Sequence, residues 1–469
     1  MLSMEEELRQ EIKYLRERVT ELEAMVKKLT EQLNQNSRNS NWPSSRDKSR
    51  PEKPKPKRSK RKAGGQKGHQ GHTLEMVDKP DEVIVHQPTQ CAHCDAELGA
   101  DAQVRESKKR QVVDLPPLQF ITTEHQAHTL ACQQCGKETP ASFPTEVTQP
   151  IQYGERVKQL AVYLKTEQFI PYQRSQQMLK DLFELPVCVG SLQNFIKRAA
   201  KQVQPIMDEV KRAIEQAEVV HADETGFYIG GQRHWLHTAS TPTLSYFAPH
   251  QKRGRKAVDE IGIVPHVTGT LVHDAWQTYF AYPADHALCH AHNLRDLTAI
   301  VENDQHLWAE QMHTFLLASK KMVAEATVVG QSQLTPATLK RIDQLYDAIV
   351  TNGLTEAPPP EPKPPNKRGR PKRTKARCLV ERFEKHKKAM LRFVREFDVP
   401  FDNNLAERDI RMMKVQQKVS GCFRSQAGAE QFCVLRSYTS TIRKQGLSVW
   451  DAIGSLFYGD LFFPQTTPV

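Results

Sequence analysis

Two aspartates lie in segments that are predicted to form neighbouring β-strands. Asp223 is in AEVVHADETGFYI and Asp274 is in GTLVHDAWQTY. Strand alternation places Asp223 and Thr225 on one face and turns Glu224 away from it. The predicted order is three strands, the first of which contains Asp223, then a helix and then a fourth strand that contains Asp274. In a sheet of this order the first and fourth strands can pair and bring the two aspartates together. Because two adjacent carboxylates repel each other, they predict a divalent metal site, with strand-end cap or turn residues as the alternative.

A third acid, Glu407, lies in the predicted helix of DNNLAERDIRMMKVQQKVSGCFRS, where most other charges are positive. With Asn403 or Asp402 as the N-cap, one helix face is expected to be buried, and it carries Ala406, Ile410 and Met413. Glu407 shares another face with Arg411 and Lys414. We interpret Glu407 as a third metal ligand, with an ordinary helical salt bridge to Arg411 as the competing explanation.

The basic residues that follow this glutamate are predicted to hold DNA phosphates. They are Arg411, Lys414, Lys418 and Arg424. A carboxylate at the metal with cations one and two turns beyond it is the arrangement that a site for phosphodiester cleavage requires.

Four cysteines form two CxxC pairs, Cys91 with Cys94 and Cys132 with Cys135. Four thiolates suit a closed tetrahedral zinc site, whereas redox motifs rarely occur as two matched pairs. The 37 residues between the pairs require a β-hairpin that returns the chain, and strands are predicted in EVIVH and FITTEHQAHTLAC. We predict structural zinc, with a redox-active CxxC as the alternative.

The composition indicates a polar protein that can still form a core. The chain has 469 residues, a net charge of +11 and a hydrophobic content of 38%, enough for about two to four domains. No segment approaches 18 consecutive apolar residues and the N-terminus is acidic, so we expect a soluble, non-secreted protein without membrane contact.

The positive charge is concentrated in two tracts that contain proline and glycine. Residues 46–72 carry 11 Lys and Arg against two acids, and residues 363–377 carry eight with no acid. Such tracts bind polyanions by releasing counterions, so we favour a nucleic-acid partner over solubilising linkers. KRGRPKR in the second tract resembles an AT-hook, whose Arg368 and Arg370 could enter an A·T-rich minor groove, although a non-specific basic loop is equally compatible.

The N-terminal segment carries a heptad pattern. Its apolar seam consists of Leu8, Ile12, Leu15, Val19, Leu22, Val26, Leu29 and Leu33. Leucine at the d positions, mostly β-branched a positions and complementary charges at e and g favour a parallel dimer. We therefore predict a homodimer or higher oligomer; the alternative is a monomeric helix that docks on its own protein.

A helix, a short turn and a second helix are predicted in YQRSQQMLKDLFELPVCVGSLQNFIKRAAK, with Ser191 as the second N-cap. The arrangement resembles a helix-turn-helix whose second helix presents Asn194, Lys197 and Arg198 to DNA. Generic helical packing explains the pattern nearly as well.

Several motifs together resemble transposases of the insertion sequence 66 family. The catalytic-core motifs are HADET, LVHDAWQTY, DNNLAERDIRMMKVQQKVSGCFRS and LRSYTSTIRKQG, and AGGQKGHQGHTL, the CxxC pairs and the heptads resemble the family's preceding segments. The resemblance implies a ribonuclease H-like fold and an Asp-Asp-Glu triad of Asp223, Asp274 and Glu407. It further implies DNA strand cleavage and strand transfer with two Mg²⁺ ions, or Mn²⁺ in their place.

The same resemblance implies the partners and the location of the protein. The partners are double-stranded DNA, as element ends and as target, and accessory proteins of the same element; the location is the nucleoid of a bacterial cytoplasm. Some Asp-Asp-Glu transposases resemble CHAHNLRDL in carrying a Cys-x-x-His pair after the second acid. Here the pair is Cys289 and His292, for which a buried structural role is favoured over metal binding.

The predicted fold class is multidomain α+β with seven segments. They are a coiled coil (5–35), a basic linker (36–75), a β-rich zinc-binding domain (76–150), a helical DNA-binding segment (151–216), a ribonuclease H-like core (217–284 and 400–445), a helical insertion (285–399) with a basic linker at 356–377, and a C-terminal segment (446–469).

Two other functions fit parts of the pattern. A domesticated, catalytically inactive DNA-binding regulator would keep the heptads, CxxC pairs and basic tracts, but it would tolerate the loss of an acid. A ribonuclease H-like structure-specific nuclease would cleave DNA without joining it, and it would not need the heptads or the CxxC pairs.

Overall fold

A computed structural model describes residues 4–40, 74–99, 103–360, 371, 373–459 and 461–466. The chain divides into two compact units. The large unit comprises Met1–Lys48, Thr123–Asp181 and Leu185–Val469, and the small unit comprises Ser49–Thr122 with Leu182–Glu184. Arg368 and Arg370, the AT-hook candidates, lie outside the described residues.

The described part of the small unit contains little regular structure. Its turn at Cys91 is closed by an isolated antiparallel bridge between Gln90 and Glu97. The strand predicted in EVIVH is wrong, because residues 82–86 pair with no strand among the described residues. The physical reason is exposure: Val83, Ile84 and Val85 are at least 68% exposed, so no partner surface covers their apolar side chains.

The N-terminal segment forms a single helix, α1 (Met4–Asn34). The heptad residues whose side chains are described, from Ile12 to Leu33, are all exposed. Two residues outside the seam attach α1 to the rest of the large unit, since Lys27 Nζ lies 2.7 Å from Asp304 and Glu31 lies 2.8 Å from Lys375 Nζ. The apolar seam therefore faces away from these attachments.

A mixed sheet forms the centre of the large unit. Its five strands within the described residues are β3 (Val219–Ile229), β4 (Gln232–Ser240), β5 (Ser245–His250), β6 (Thr270–His273) and β7 (Asp285–Leu288), while β1 (Thr129–Ala131) and β2 (Glu138–Pro140) form a separate hairpin. The order is β5-β4-β3-β6-β7. Strands β3 to β5 are antiparallel neighbours, and β6 and β7 run parallel to β3. The predicted pairing of the first and fourth of these strands is confirmed.

The sheet extends past the predicted boundary of the core. We placed the start of the helical insertion at residue 285, but β7 pairs with β6 in parallel along its four residues. A four-residue strand is too short to show a periodicity in the sequence, which explains the misplaced boundary. The helix predicted between β5 and β6 is present as α5 (Arg255–Ile261).

Gly269 allows β6 to approach β3. A Cβ atom at this position would lie 2.3 Å from the carbonyl oxygen of Glu218 and 2.4 Å from that of Ala217. The neighbouring Thr270 N–H donates to the same Glu218 oxygen at 2.8 Å. Because these obstacles are backbone atoms, no side-chain movement can relieve the clash.

The Gly269→Ala substitution is therefore expected to lower the free energy of unfolding by about 3 kcal/mol, the upper end of ordinary overpacking costs. Chemical denaturation measures the change. Gly190→Ala is the matched control, since its Cβ would meet only Cys188 Sγ at 3.8 Å. Equal stability of the two variants would contradict the close approach of β6 to β3.

Some helices of the large unit pack against the sheet, and others pack on those helices. They are α2 (Glu155–Thr166), α3 (Tyr172–Phe183), α4 (Val189–Glu215), α11 (Asn404–Ser420), α12 (Gln426–Lys444) and α13 (Val449–Tyr458). The predicted first helix, short connection and second helix are present as α3 and α4. Ser191 as the N-cap of the second helix is wrong: the N-cap is Cys188, whose Sγ accepts from Ser191 N–H at 3.4 Å, so the helix begins three residues earlier.

A second core holds the helical insertion together. Its helices are α6 (His290–Asp304), α7 (Leu307–Val328), α8 (Pro336–Glu356), α9 (Lys375–Lys385) and α10 (Lys387–Met390). Trp308 and Tyr346 precede the basic proline-rich segment and Phe383 follows it, and all three are fully buried in one cluster. The Tyr346 hydroxyl donates to the Phe383 carbonyl at 2.8 Å. The two halves of the insertion therefore form one packed body.

Candidate active site

The register of β3 against β6 aligns the two aspartates. His221 lies opposite Val272, and these are the last parallel partners of the two strands. Asp223 and Asp274 each lie two residues further along, so they occupy equivalent positions where the pairing ends. Asp223 accepts a hydrogen bond from the N–H of Glu224 at 2.8 Å, and Asp274 accepts one from Trp276 N–H at 3.1 Å.

The pKa of the Asp223 carboxyl is shifted by the acids that surround it. Burial and the negative charges of Glu224, Asp274 and Glu407 together raise the pKa of its carboxyl to about 8, against the Glu224 N–H that lowers it. Asp223 therefore lies close enough to each of the other three carboxylates to interact with it. Without a cation, Asp223 is held largely in its neutral form at pH 7.

Asn403 attaches the helix that carries Glu407 to the strand that carries Asp223. It is the N-cap of α11, but its side chain bonds to β3 instead of its own helix. Its Nδ2 donates to the Ala222 carbonyl at 2.8 Å, and its Oδ1 lies 2.8 Å from Nδ1 of His221. The predicted buried face of α11 is confirmed, because Ala406, Ile410 and Met413 are all at most 6% exposed. Glu407 is thereby placed in the first turn of a fixed helix.

The competing salt bridge of Glu407 is present but long. Arg411 Nη2 lies 3.9 Å from Glu407 Oε2, and the Arg411 side chain is 70% exposed. A pair of this kind contributes roughly 0.2–0.5 kcal/mol. The other oxygen, Oε1, lies 3.7 Å from His292 Nδ1 and 4.0 Å from Cys289 Sγ. The packing of α11, rather than the salt bridge, determines where Glu407 lies.

Glu224 is a fourth acid that sequence reasoning missed. We expected it to point away from the aspartates; burial and then the negative charge of Asp274 raise the pKa of its carboxyl. Its side chain is 2% exposed. Its Oε1 accepts from Arg253 Nε at 2.9 Å and Nη2 at 2.5 Å, and its Oε2 accepts from the Tyr279 hydroxyl at 2.7 Å. The loop after Asp274 brings Tyr279 against this carboxylate, which alternation within one strand could not reveal.

The partners of Glu224 also hold the loop that follows Asp274. The Arg253 guanidinium lies 4.6 Å from the Trp276 ring centroid, and Tyr279 meets the same ring edge-on at 5.4 Å. Ala275, between Asp274 and Trp276, has a φ of +67°. This conformation costs a non-glycine residue energy and persists only where the surrounding contacts impose it. Glu224 thus fixes, through two partners, the backbone that orients Asp274.

The predicted phosphate-binding residues differ in their surroundings. Arg411, Lys414, Lys418 and Arg424 are exposed, as are Lys197 and Arg198 on α4. Lys414 differs from the others, because its Nζ donates to the Gly226 carbonyl of β3 at 2.5 Å. Burial, and then the charge of Arg233, lower its pKa.

Each CxxC pair forms a tight turn of its own. Asp95 N–H donates to the Cys91 carbonyl at 2.9 Å, and Gly136 N–H donates to the Cys132 carbonyl at 2.8 Å. Backbone N–H groups point at the sulfurs: that of His93 lowers the pKa of the Cys91 thiol, and that of Cys135 lowers the pKa of the Cys132 thiol. Thiols poised toward thiolate are suited to zinc. Cys91 and Cys94 lie in the small unit, and Cys132 and Cys135 lie in the large unit.

Comparison with known families assigns most of the chain. Residues 150–431 match the transposase IS66 family, residues 88–136 match the zinc-finger binding domain of transposase IS66, and residues 2–75 match a family of unknown function. The chain belongs to the IS66 family of transposases. The zinc-finger match includes all four CxxC cysteines and supports structural zinc. Comparison with curated proteins finds none that matches this chain. Among the described helices, none is long and apolar enough to cross a membrane.

Proposed function

We propose that this transposase cleaves and joins DNA strands at the ends of its element, with Asp223, Asp274 and Glu407 as ligands of catalytic Mg²⁺. The observation that carries the proposal is that the negative charges of Asp274 and Glu407 both act on the Asp223 carboxyl. Asp274 follows the parallel neighbouring strand β6, and Glu407 lies on the helix α11. The sheet order, with three antiparallel strands followed by two parallel ones, supports a ribonuclease H-like core.

The donor set fits Mg²⁺ because it is made of hard carboxylate oxygens with unbalanced negative charge. Arg253 is bonded to Glu224, and Arg411 reaches Glu407 only at 3.9 Å. Bound Mg²⁺ would activate water, or later the freed 3′ hydroxyl, and would stabilise the leaving oxygen in an in-line displacement at phosphorus. The protein supplies the fixed separation of the three ligands through the β3–β6 register and Asn403.

The exposed bases near Glu407 are proposed to hold the phosphates of the DNA entering this site. Arg411, Lys418 and Arg424 fit that role because their side chains are exposed. Lys414 is a weaker candidate, since its ammonium group is bonded to the backbone of β3. Lys197 and Arg198 on the second helix of the helix–turn–helix are proposed to contact the element ends.

The proposed function is tested by strand cleavage and joining on DNA that carries the element's ends, with Mg²⁺, comparing wild type with Glu407→Gln. Cleavage and joining by wild type, with a variant that binds DNA but does neither, supports the triad. Full activity of the variant rejects Glu407 as a ligand and leaves the salt bridge to Arg411 as its role. Binding by both proteins without cleavage favours the catalytically inactive regulator, and cleavage without joining favours the structure-specific nuclease.

The partner proposed for α1 is a second copy of this chain. Lys27 and Glu31, which lie at b and f positions of the heptads, attach α1 to the insertion, so the a and d residues from Ile12 to Leu33 remain exposed for self-pairing. Leu22→Glu is expected to convert the oligomer to a monomer in sedimentation velocity experiments, because it places a charge in the seam. Lys28→Glu, outside the seam, is the control; a monomeric wild type or an oligomeric Leu22→Glu protein would contradict the pairing.

A further inference from the structure

Cys289, His292 and Glu407 form a cluster of potential metal ligands beside the proposed catalytic acids. Sγ, an imidazole nitrogen and a carboxylate oxygen all lie within 4.8 Å of one another, the only such group of three or more His, Cys, Asp or Glu side chains among the described residues. The three ligands come from two separate parts of the chain. Cys289 caps the start of α6, His292 lies in its first turn, and Glu407 lies in α11.

The His292 ring nitrogen is unsatisfied in this cluster. Its Nδ1 is buried and no described residue hydrogen-bonds to it. It faces Glu407 Oε1 at 3.7 Å, which is too long for a hydrogen bond. A buried polar atom left without a partner costs roughly 1–3 kcal/mol. A cation between the imidazole and the carboxylate would satisfy both atoms.

Cys289 completes the set from the buried side. Its side chain is 1% exposed, and its Sγ lies 4.0 Å from the same Glu407 oxygen. The N–H of Asn403 donates to this sulfur at 3.2 Å and holds it in place. Burial raises the pKa of the thiol to about 11, so a bound cation has to displace its proton. The His292 and Glu407 side chains are 24% and 14% exposed, which leaves a side from which an ion can enter.

We propose that Cys289, His292 and Glu407 bind a thiophilic divalent cation of the zinc type, at a site separate from the oxygen ligands Asp223 and Asp274. A sulfur, a nitrogen and an oxygen ligand suit Zn²⁺, whereas Mg²⁺ avoids thiolate. Ligand atoms around tetrahedral zinc lie about 3.5 Å apart, so separations of 3.7 and 4.0 Å need little contraction. Water would take the fourth position, and the Cys289 thiol would release its proton to solvent on binding.

The two sites share one carboxylate. Glu407 presents Oε1 to Cys289 and His292 and Oε2 to the side of Arg411. An ion on Oε1 would fix the orientation of the carboxylate that the proposed triad uses. The cation site itself does not depend on the proposed reaction, because its ligands are defined by the contacts of Cys289 and His292.

The test uses full-length protein reconstituted with one equivalent of Zn²⁺, which the four thiolates of the CxxC pairs bind first, and then titrated with Co²⁺. Thiolate coordination gives an intense sulfur-to-cobalt absorption band in the near ultraviolet, which oxygen ligands do not produce. We expect one equivalent of Co²⁺ to give this band in wild type, and Cys289→Ser to abolish it. His292→Gln should weaken Co²⁺ binding by more than about tenfold, since loss of a ligand costs at least as much as loss of a ligand's partner.

Control variants separate this site from other thiols and from the proposed reaction. Cys378→Ser removes an exposed cysteine of α9 and should leave the band unchanged. Asp223→Asn should also keep the band, although the proposed function requires that it lose cleavage. Thermal melting of each variant establishes that it is folded. The site is rejected if wild type shows no band, if Cys289→Ser retains it, or if Asp223→Asn loses it.

Discussion

Asp223→Asn is expected to cleave DNA about a thousandfold more slowly than wild type while it still binds the element ends. An amide is a poor substitute for a carboxylate that contacts a metal, and the lost charge stabilisation of several kcal/mol corresponds to this factor. Burial and the neighbouring acids raise the pKa of Asp223 to about 8 in the metal-free protein. Metal binding must therefore displace a proton, and the apparent Mg²⁺ affinity of wild type should rise about tenfold per pH unit between pH 6 and 7.

The same residue predicts how the stability of the metal-free protein depends on pH. An unfolded aspartate has a pKa of about 3.9, whereas folded Asp223 holds its proton up to about pH 8. Because the folded state binds the extra proton in this interval, stability falls as pH rises from about 4 to about 8. Melting temperatures from pH 5 to 8 should fall more steeply for wild type than for Asp223→Asn. The exposed Asp208→Asn is the control, and parallel curves for wild type and Asp223→Asn would refute the assignment.

Glu224→Gln is expected to weaken Mn²⁺ binding and slow cleavage by about 10- to 100-fold, the usual cost of removing a group that orients a metal ligand. The amide keeps the shape of the side chain but leaves Arg253 without its ion partner and presents N–H to a donor. The contacts of Arg253 and Tyr279 with Trp276 would then no longer hold the loop after Asp274. Tyr279→Phe removes one of these hydrogen bonds and should have a smaller effect of the same sign.

Mn²⁺ affinity, measured by electron paramagnetic resonance, distinguishes this role from general destabilisation. Glu260→Gln is the matched control, because Glu260 lies 2.7 Å from His250 Nε2 and is 54% exposed. If Glu224→Gln binds Mn²⁺ as tightly as wild type, Glu224 does not orient the metal ligands. An absence of Mn²⁺ binding in wild type would instead count against the proposed metal centre itself.

The sequence predicted the structure correctly where a periodic pattern of apolar residues determines which face of an element is buried. The helical period of α11 predicted which of its faces is buried, and the element order predicted that β3 and β6 pair. The helix α1 was predicted for the same reason. These features depend on residues close together in the chain, so a single sequence contains them.

The missed features depend on contacts between distant parts of the chain. Glu224 is held by Arg253 and Tyr279, which are 29 and 55 residues away, and Asn403 bonds to Ala222 across 181 residues. No local period encodes these pairs. EVIVH failed for a related reason, since β-branched residues form a strand only where another strand is available to pair with them.

The two ends of the helical insertion meet at one place. His290 N–H donates to the Phe401 carbonyl at 3.1 Å, and Asn403 N–H donates to Cys289 Sγ at 3.2 Å. The chain thus leaves the sheet and returns to it at adjacent points. Inserted domains are tolerated where their two ends lie close together. Evolution could lengthen, shorten or exchange the helices α7 to α9 without displacing the helix that carries Glu407. The insertion is therefore a place where the length and surface of the chain can change while the contact between β3 and α11 stays fixed.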